Sequence, residues 1–91
     1  MAARIQVEKV REDEFHVRVI ERGSESIHRV TLSPAEHRRL TGGKIQAEEL
    51  IKRSFEFLLA REPKESILSE FDLPLIGRYF SEYEREVKRA I

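Results

Sequence analysis

Three histidines, His16, His28 and His37, are the side chains best suited to proton transfer or metal binding near neutral pH. Metal ligands on one helix or strand recur at short spacings such as His-x-His or His-x-x-x-His. The intervals here are 12 and 9 residues, and the chain has no cysteine. The sequence therefore predicts no metal site and no cofactor, with the histidines at the surface or at the rim of the core.

Neighbouring carboxylates, the usual groups for general acid–base catalysis, are plentiful but have basic partners. Glu48 stands four residues before Lys52, and Glu49 stands four residues before Arg53. This spacing is typical of ion pairs on a solvated helix face, whereas a catalytic carboxyl needs a pocket that shifts its pKa. We expect these carboxylates to lie on solvent-exposed helix faces.

Nucleophile and phosphate-binding motifs are also absent from the sequence. No serine lies in a nucleophile-elbow motif. The run Thr41-Gly42-Gly43-Lys44 resembles part of a phosphate loop, but a P-loop has Ser or Thr after the lysine, and here Ile45 follows. The sequence predicts a protein that is not an enzyme and gives no indication of a small-molecule ligand.

Basic side chains offer the more informative pattern. The candidate binding residues form two clusters: His16, Arg18 and Arg29 on the outer face of the sheet, and Arg38 and Arg39, beside His37, on the first helix. Arg18 and Arg29 are predicted to face each other across two neighbouring strands. Two like charges in this position destabilise a sheet, and an anion, a nucleic-acid backbone or an acidic partner would relieve the repulsion. A solvated face is the favoured interpretation of the same residues, because no aromatic side chain accompanies them for base stacking.

Composition limits the classes of function. The 91 residues include 17 Lys+Arg and 17 Asp+Glu, so the net charge is zero and gives no overall attraction to nucleic acid. The length suits a single domain over residues 1–91. No apolar stretch resembles a signal core or a membrane span, so we expect a small soluble, cytoplasmic protein that does not bind membranes.

The elements that must position these side chains follow from a change of period at Ser33. Before it, apolar residues alternate and predict strands over about 3–10, 14–21 and 26–32. After it, the spacing is helical. The predicted class is α+β, with a three-stranded antiparallel meander over 1–32 and a helical part over 33–91. Strand two is central, and strands one and three are edges.

The turn between strands two and three sets the predicted register. Gly23-Ser24 fits a two-residue type II′ turn, which has glycine at its first central position. That turn places Val17 opposite Val30 on the inner face and Arg18 opposite Arg29 on the outer face. On the other side of strand two, Val7 is expected opposite Val17.

Capping signals delimit the helices. Ser33, Pro34 and Glu36 begin a short helix that ends at Gly42-Gly43. A long core helix follows over about 46–61, with an apolar stripe from Ala47 to Leu59. Short C-terminal helices include one containing Ile67 and Phe71, and one from Ser81 to Ile91.

A longer pattern carries a family resemblance. Ser54-Phe55-Glu56-Phe57-Leu58-Leu59 precedes Arg61-Glu62-Pro63, Ser66-Ile67-Leu68, Phe71-Asp72-Leu73 and Arg78-Tyr79-Phe80. With the N-terminal meander, this pattern resembles a group of short bacterial proteins to which no activity is attached, so it implies no site residue. The order of three strands and a helix is also similar to that of antitoxins of the partial RNase-H type.

Two functional hypotheses follow. The first is a small non-enzymatic protein-interaction or regulatory domain, which binds a protein partner or forms a homodimer. The homodimer would use an exposed strand edge or the cluster Tyr79-Phe80-Tyr83, and that cluster could equally complete the core of a monomer. The second is an antitoxin-like or nucleic-acid-associated regulator that uses the Arg18/Arg29 face.

Overall fold

The computed structural model describes residues 3–89 and Ile91 and confirms the α+β class. Met1 and Ala2, at the start of the expected domain, and Ala90, in the expected last helix, lie outside the described residues. The regular elements are β1 (Arg4–Arg11), β2 (Glu14–Glu21), β3 (Ser24–Thr31), α1 (Pro34–Thr41), α2 (Ala47–Leu59), β4 (Glu70–Asp72), α3 (Ile76–Tyr79) and α4 (Tyr83–Arg89). Short 3₁₀ turns, Lys64–Ser66 and Leu73–Leu75, flank β4.

The predicted meander forms one part of a four-stranded sheet, in the order β1-β2-β3-β4. The predicted register of β1 on β2 is confirmed, because Ile5 pairs with Val19 and Val7 pairs with Val17. An irregularity between Lys9 and Arg11 then lets the two strands join through a tight turn.

The predicted register of β2 on β3 is wrong by two residues. Arg22 and Gly23 occupy the centre of the turn with φ angles of 54° and 80°, the type I′ geometry that suits the twist of paired strands. Arg18 therefore lies opposite Ile27, and Arg29 lies opposite His16. A shift of two residues leaves every side chain on its predicted face, so the hydrophobic pattern could not distinguish the two turns.

A fourth strand covers part of β3, which the sequence predicted to be an edge. β4 runs parallel to β3 and pairs Arg29–Thr31 with Glu70–Asp72. The Arg29 N–H donates to the Ser69 carbonyl at 2.7 Å, and the Thr31 hydroxyl donates to the Asp72 carboxylate at 2.7 Å. The expected helical piece around Ile67 and Phe71 is therefore wrong, because three residues of strand are too short to show a period.

The first helix begins and ends as its capping residues predict. The Ser33 hydroxyl accepts the Glu36 N–H at 3.2 Å, and Pro34 occupies the first turn. Gly42 takes a left-handed φ of 66° and donates its N–H to the Arg38 carbonyl. The chain can then turn back towards the sheet.

The long helix α2 and the inner face of the sheet form the core. Leu50, Ile51 and Phe55 on α2 and Val17 and Val30 on the sheet are all fully buried in one cluster. The helix runs from Ala47 to Leu59, within the predicted range of about 46–61. Within the described part of the chain, no helix is long and apolar enough to cross a membrane.

The C-terminal helix α4 packs against α2 and completes the core. Tyr83 is fully buried, and its ring packs against Phe57 with the centroids 5.3 Å apart. Its hydroxyl lies 2.7 Å from the hydroxyl of Ser54, which in turn donates to the Leu50 carbonyl at 2.8 Å. A small polar residue on the core stripe thus anchors the last helix.

Candidate interaction surfaces

Acidic side chains neutralise the predicted basic face of the sheet. The Arg29 guanidinium lies 3.3 Å from a Glu14 oxygen and 3.5 Å from a Glu70 oxygen. The Arg18 guanidinium lies 3.6 Å from Glu25. The like-charge pair expected from the sequence does not form, because the register separates the two arginines and brings a carboxylate to each.

The structure brings two of the five predicted site residues directly together. His16 lies opposite Arg29, and its Nε2 atom is 3.8 Å from the same Glu14 carboxylate. Arg18 belongs to the next outward-facing pair, opposite Ile27. The outer face is a mixed-charge surface with exposed ion pairs, which contribute little stability individually.

The second predicted basic cluster lies elsewhere, on α1. Arg39 donates to Glu36 at 2.8 Å and to Glu84 of α4 at 3.0 Å. Hydrogen bonds from the guanidinium hold the pKa of both carboxyls below its usual range. Arg38 is exposed on the same helix. Since α1 and α4 belong to the helical layer, this cluster does not extend the basic face of the sheet.

His28 is a structural histidine that the sequence placed at the rim of the core. Its side chain is buried, with Nδ1 2.8 Å from the Leu68 carbonyl and Nε2 2.8 Å from the Ser26 hydroxyl. Because a carbonyl only accepts, Nδ1 carries the proton and Nε2 accepts from Ser26. The ring packs 5.3 Å from Phe55. His28 thereby ties the segment before β4 to the core.

An apolar groove of about 400 Å³ opens beside that segment. Its apolar wall is formed by Leu58, Ile67, Phe71, Leu75, Ile76 and Phe80. Leu68 and Tyr79 also line it, and they are 47% and 68% exposed. Glu62 and Ser66 are its polar members.

Several separate parts of the chain build this groove. α2 supplies Leu58, β4 supplies Phe71 and α3 supplies Ile76. Phe80 is held by an edge-to-face contact with Phe57, with centroids 5.7 Å apart. Sequence reasoning missed the groove because its residues come from short, aperiodic segments. The signal that could have indicated it is the density of large apolar residues between Ile67 and Phe80.

A second hollow, of about 330 Å³, lies on the outer face of the sheet and is polar. Its lining includes Gln6, Glu8, His16, Arg18 and Ile27. Among residues 3–89 and Ile91, no group of three or more His, Asp or Glu side chains could hold a metal ion. The described lining of this hollow therefore contains charged side chains but no cluster of metal ligands.

Comparisons of the chain with protein-family models, with curated proteins and with solved structures gave no match. The resemblance to short bacterial proteins stays a prediction, as does the likeness in element order to antitoxins.

Proposed function

We propose that this protein is a protein-interaction domain that takes an apolar side chain of a partner polypeptide into the groove between α2 and α3. One observation carries the proposal: Leu68 and Tyr79 lie exposed at the rim of an otherwise apolar groove of about 400 Å³. Covering these side chains would remove apolar surface from water, which is the main driving force of association.

The chemistry of the rim favours a polypeptide partner. Tyrosine is enriched at the centres of interfaces, where a rigid ring supplies contact area at a low cost in conformational entropy. His28 holds the Leu68 carbonyl, so one side of the rim is fixed before a partner arrives. Preorganisation of this kind reduces the entropic cost of binding.

Glu62 specifies the charge of the partner. It is the acidic side chain on a wall that is otherwise formed by apolar residues, Ser66 and Tyr79. A Lys or Arg next to the apolar anchor of the partner would pair with it at the rim of the interface. We therefore expect the bound segment to combine one large apolar residue with an adjacent cation.

The polar groups of the groove support binding rather than catalysis. Neither histidine nor lysine accompanies Glu62 and Ser66 in the described lining, so Glu62 is the one side chain there that could act as a base. The nucleic-acid alternative has less support, because carboxylates lie beside Arg18 and Arg29. A regulatory role in the cytoplasm is part of the same proposal.

Site-directed photocrosslinking in the cells that naturally express the protein tests this proposal. A photoreactive benzoylphenylalanine at position 79 should give a discrete protein adduct, because Tyr79 lies 68% exposed at the rim. The matched control is position 27, where Ile27 is 56% exposed on the opposite face of the sheet. The adduct should be identified by mass spectrometry and should diminish with Glu62→Lys.

The two positions distinguish the outcomes. An adduct from position 79 that position 27 does not give supports the groove as the binding surface. Equal labelling from both positions, or no adduct from position 79, contradicts it.

A further inference from the structure

The outer edge of β1 is a full-length strand edge without a partner in the described chain. β1 extends over eight residues and is the first strand in the sheet order, so only β2 pairs with it. Among the described residues, no backbone hydrogen bond joins β1 to a segment outside the sheet. Such an edge presents a row of free N–H and C=O groups to another strand.

The hairpin between β2 and β3 fixes which residues of β1 point these groups outward. Glu21 and Ser24 close the two-residue turn, so the odd-numbered residues of β2 bond to β3 and the even-numbered ones bond to β1. The even-numbered residues of β1 lie opposite those. Ile5, Val7 and Lys9 therefore turn their N–H and C=O groups to the free edge.

One antiparallel register of two β1 strands is complementary in charge and in hydrophobicity. When Gln6 lies on a two-fold axis opposite Gln6 of a second copy, Arg4 lies opposite Glu8. By symmetry this ion pair forms twice. In the same register Ile5 lies opposite Val7, also twice, and these pairs exchange backbone hydrogen bonds.

The neighbouring symmetric registers lack this complementarity. An axis at Val7 places Arg4 opposite Val10 and Ile5 opposite Lys9. An axis at Glu8 places the two glutamates against each other, which destabilises a sheet. Only the register centred on Gln6 pairs every charge of residues 4–8 with its opposite.

Side-chain exposure agrees with that register. Arg4 and Glu8 are exposed on the outer face, where non-hydrogen-bonded partners approach to about 4.5 Å between Cα atoms. Ile5 and Val7 are only partly buried on the inner face, and they pack at the border of the core. A second copy would cover this border and continue the apolar face of the sheet.

We infer that two copies of the chain associate through β1 in the register centred on Gln6, giving a continuous eight-stranded sheet. This inference goes beyond the proposed function, because β1 and the groove-lining strand β4 lie at opposite ends of the sheet order. A single pair of strands buries less area than a standard interface, so the dissociation constant should lie between about 10 µM and 1 mM.

Sedimentation equilibrium at several protein concentrations tests the inference. It should compare the wild-type chain with variants in which the charges of Arg4 and Glu8 are reversed. Arg4→Glu and Glu8→Arg should each weaken dimerisation at least about tenfold, because each replaces two ion pairs with two repulsions. The double variant Arg4→Glu/Glu8→Arg should restore the wild-type constant. Arg85→Glu, at an exposed position on α4, is the matched control and should leave the constant unchanged.

A proline substitution tests the role of the free edge independently of charge. Val7→Pro removes an N–H that points outward, so it should preserve the circular dichroism spectrum and abolish the dimer. Gln6→Pro removes an N–H that bonds to β2 and should destabilise the fold. A wild-type chain that stays monomeric at about 1 mM, or a double charge variant that is not restored, overturns the inference.

Because the groove takes no part in the β1 contact, Tyr79→Glu should leave the dissociation constant of the dimer unchanged. Absence of an adduct from position 79 in a protein that still dimerises would contradict the proposed function alone. A wild-type chain that stays monomeric while position 79 gives the adduct would contradict the β1 inference alone.

Discussion

At the scale of single residues, Tyr83 shows how a polar atom is accommodated in a small core. The side chain is fully buried, and its hydroxyl has Ser54 as its partner at 2.7 Å. Burial raises the pKa of Tyr83 to about 12, although the hydrogen bond to Ser54 acts in the opposite direction. The folded state therefore favours the neutral phenol more strongly than the unfolded chain does.

This pKa predicts a loss of stability at alkaline pH. Below the ordinary value of 10.0 the tyrosine is neutral in both states, and between that pH and about 12 only the unfolded chain ionises. The free energy of unfolding should fall by about 3 kcal/mol across this window. Denaturant unfolding at several pH values measures the change.

A pair of phenylalanine variants isolates the effect of Tyr83 from that of the lysines, which also lose charge at high pH. The Tyr83→Phe variant should lose this component of the pH dependence. The exposed Tyr79→Phe should retain it. An unaltered pH profile in Tyr83→Phe would show that the buried phenol is not its source.

The residue scale also shows the limit of sequence-based prediction for histidines. Their spacing predicts no metal site, and this stays a prediction. The role of His28 was not predictable, because its hydrogen-bond acceptor, the Leu68 carbonyl, lies 40 positions further along the chain. Only the tertiary structure brings that carbonyl to the imidazole.

At the scale of elements, the hairpin turn carries local backbone strain. Arg22 has a left-handed φ of 54°, a conformation that costs a residue other than glycine about 1 kcal/mol or more. Asparagine adopts this conformation more readily, and Asn-Gly is the preferred pair for a type I′ turn.

Arg22→Asn should therefore stabilise the protein by roughly 0.5–1 kcal/mol. Thermal or denaturant unfolding measures the difference. Gly23→Ala provides the converse test, because a Cβ at this residue contacts nothing within 4 Å while φ is 80°. That variant should be destabilised through the backbone alone. A destabilised Arg22→Asn variant would contradict the assigned turn.

Elements with strong local signals were predictable. The cap at Ser33, the stop at Gly42 and the stripe on α2 were all evident from the sequence and are confirmed. Two features were not: the exact turn between β2 and β3, and the strand β4. A two-residue shift preserves the faces of a strand, and β4 exists only because β3 offers it an edge.

At the scale of the whole molecule, acidic and basic side chains are equal in number and form local ion pairs. Glu14 and Glu70 lie beside Arg29, and Glu84 joins α4 to Arg39 of α1. The sequence indicated zero net charge but not which charges meet, because the pairing depends on register and on helix packing. Carboxylates therefore lie beside Arg18, Arg29 and Arg39 in the two predicted basic clusters, and the apolar groove becomes the more distinctive feature.

In the proposed function, the groove between α2 and α3 binds a partner polypeptide. The most direct measurement is the affinity of the purified, photocaptured partner for the wild-type chain, for Leu68→Glu and for the matched control Ile27→Glu. We expect Leu68→Glu to weaken binding about 30-fold, since it places a charge at the apolar rim, and Ile27→Glu to leave it unchanged. Equal affinities for the wild type and Leu68→Glu, or an equal loss in both variants, would contradict the claim.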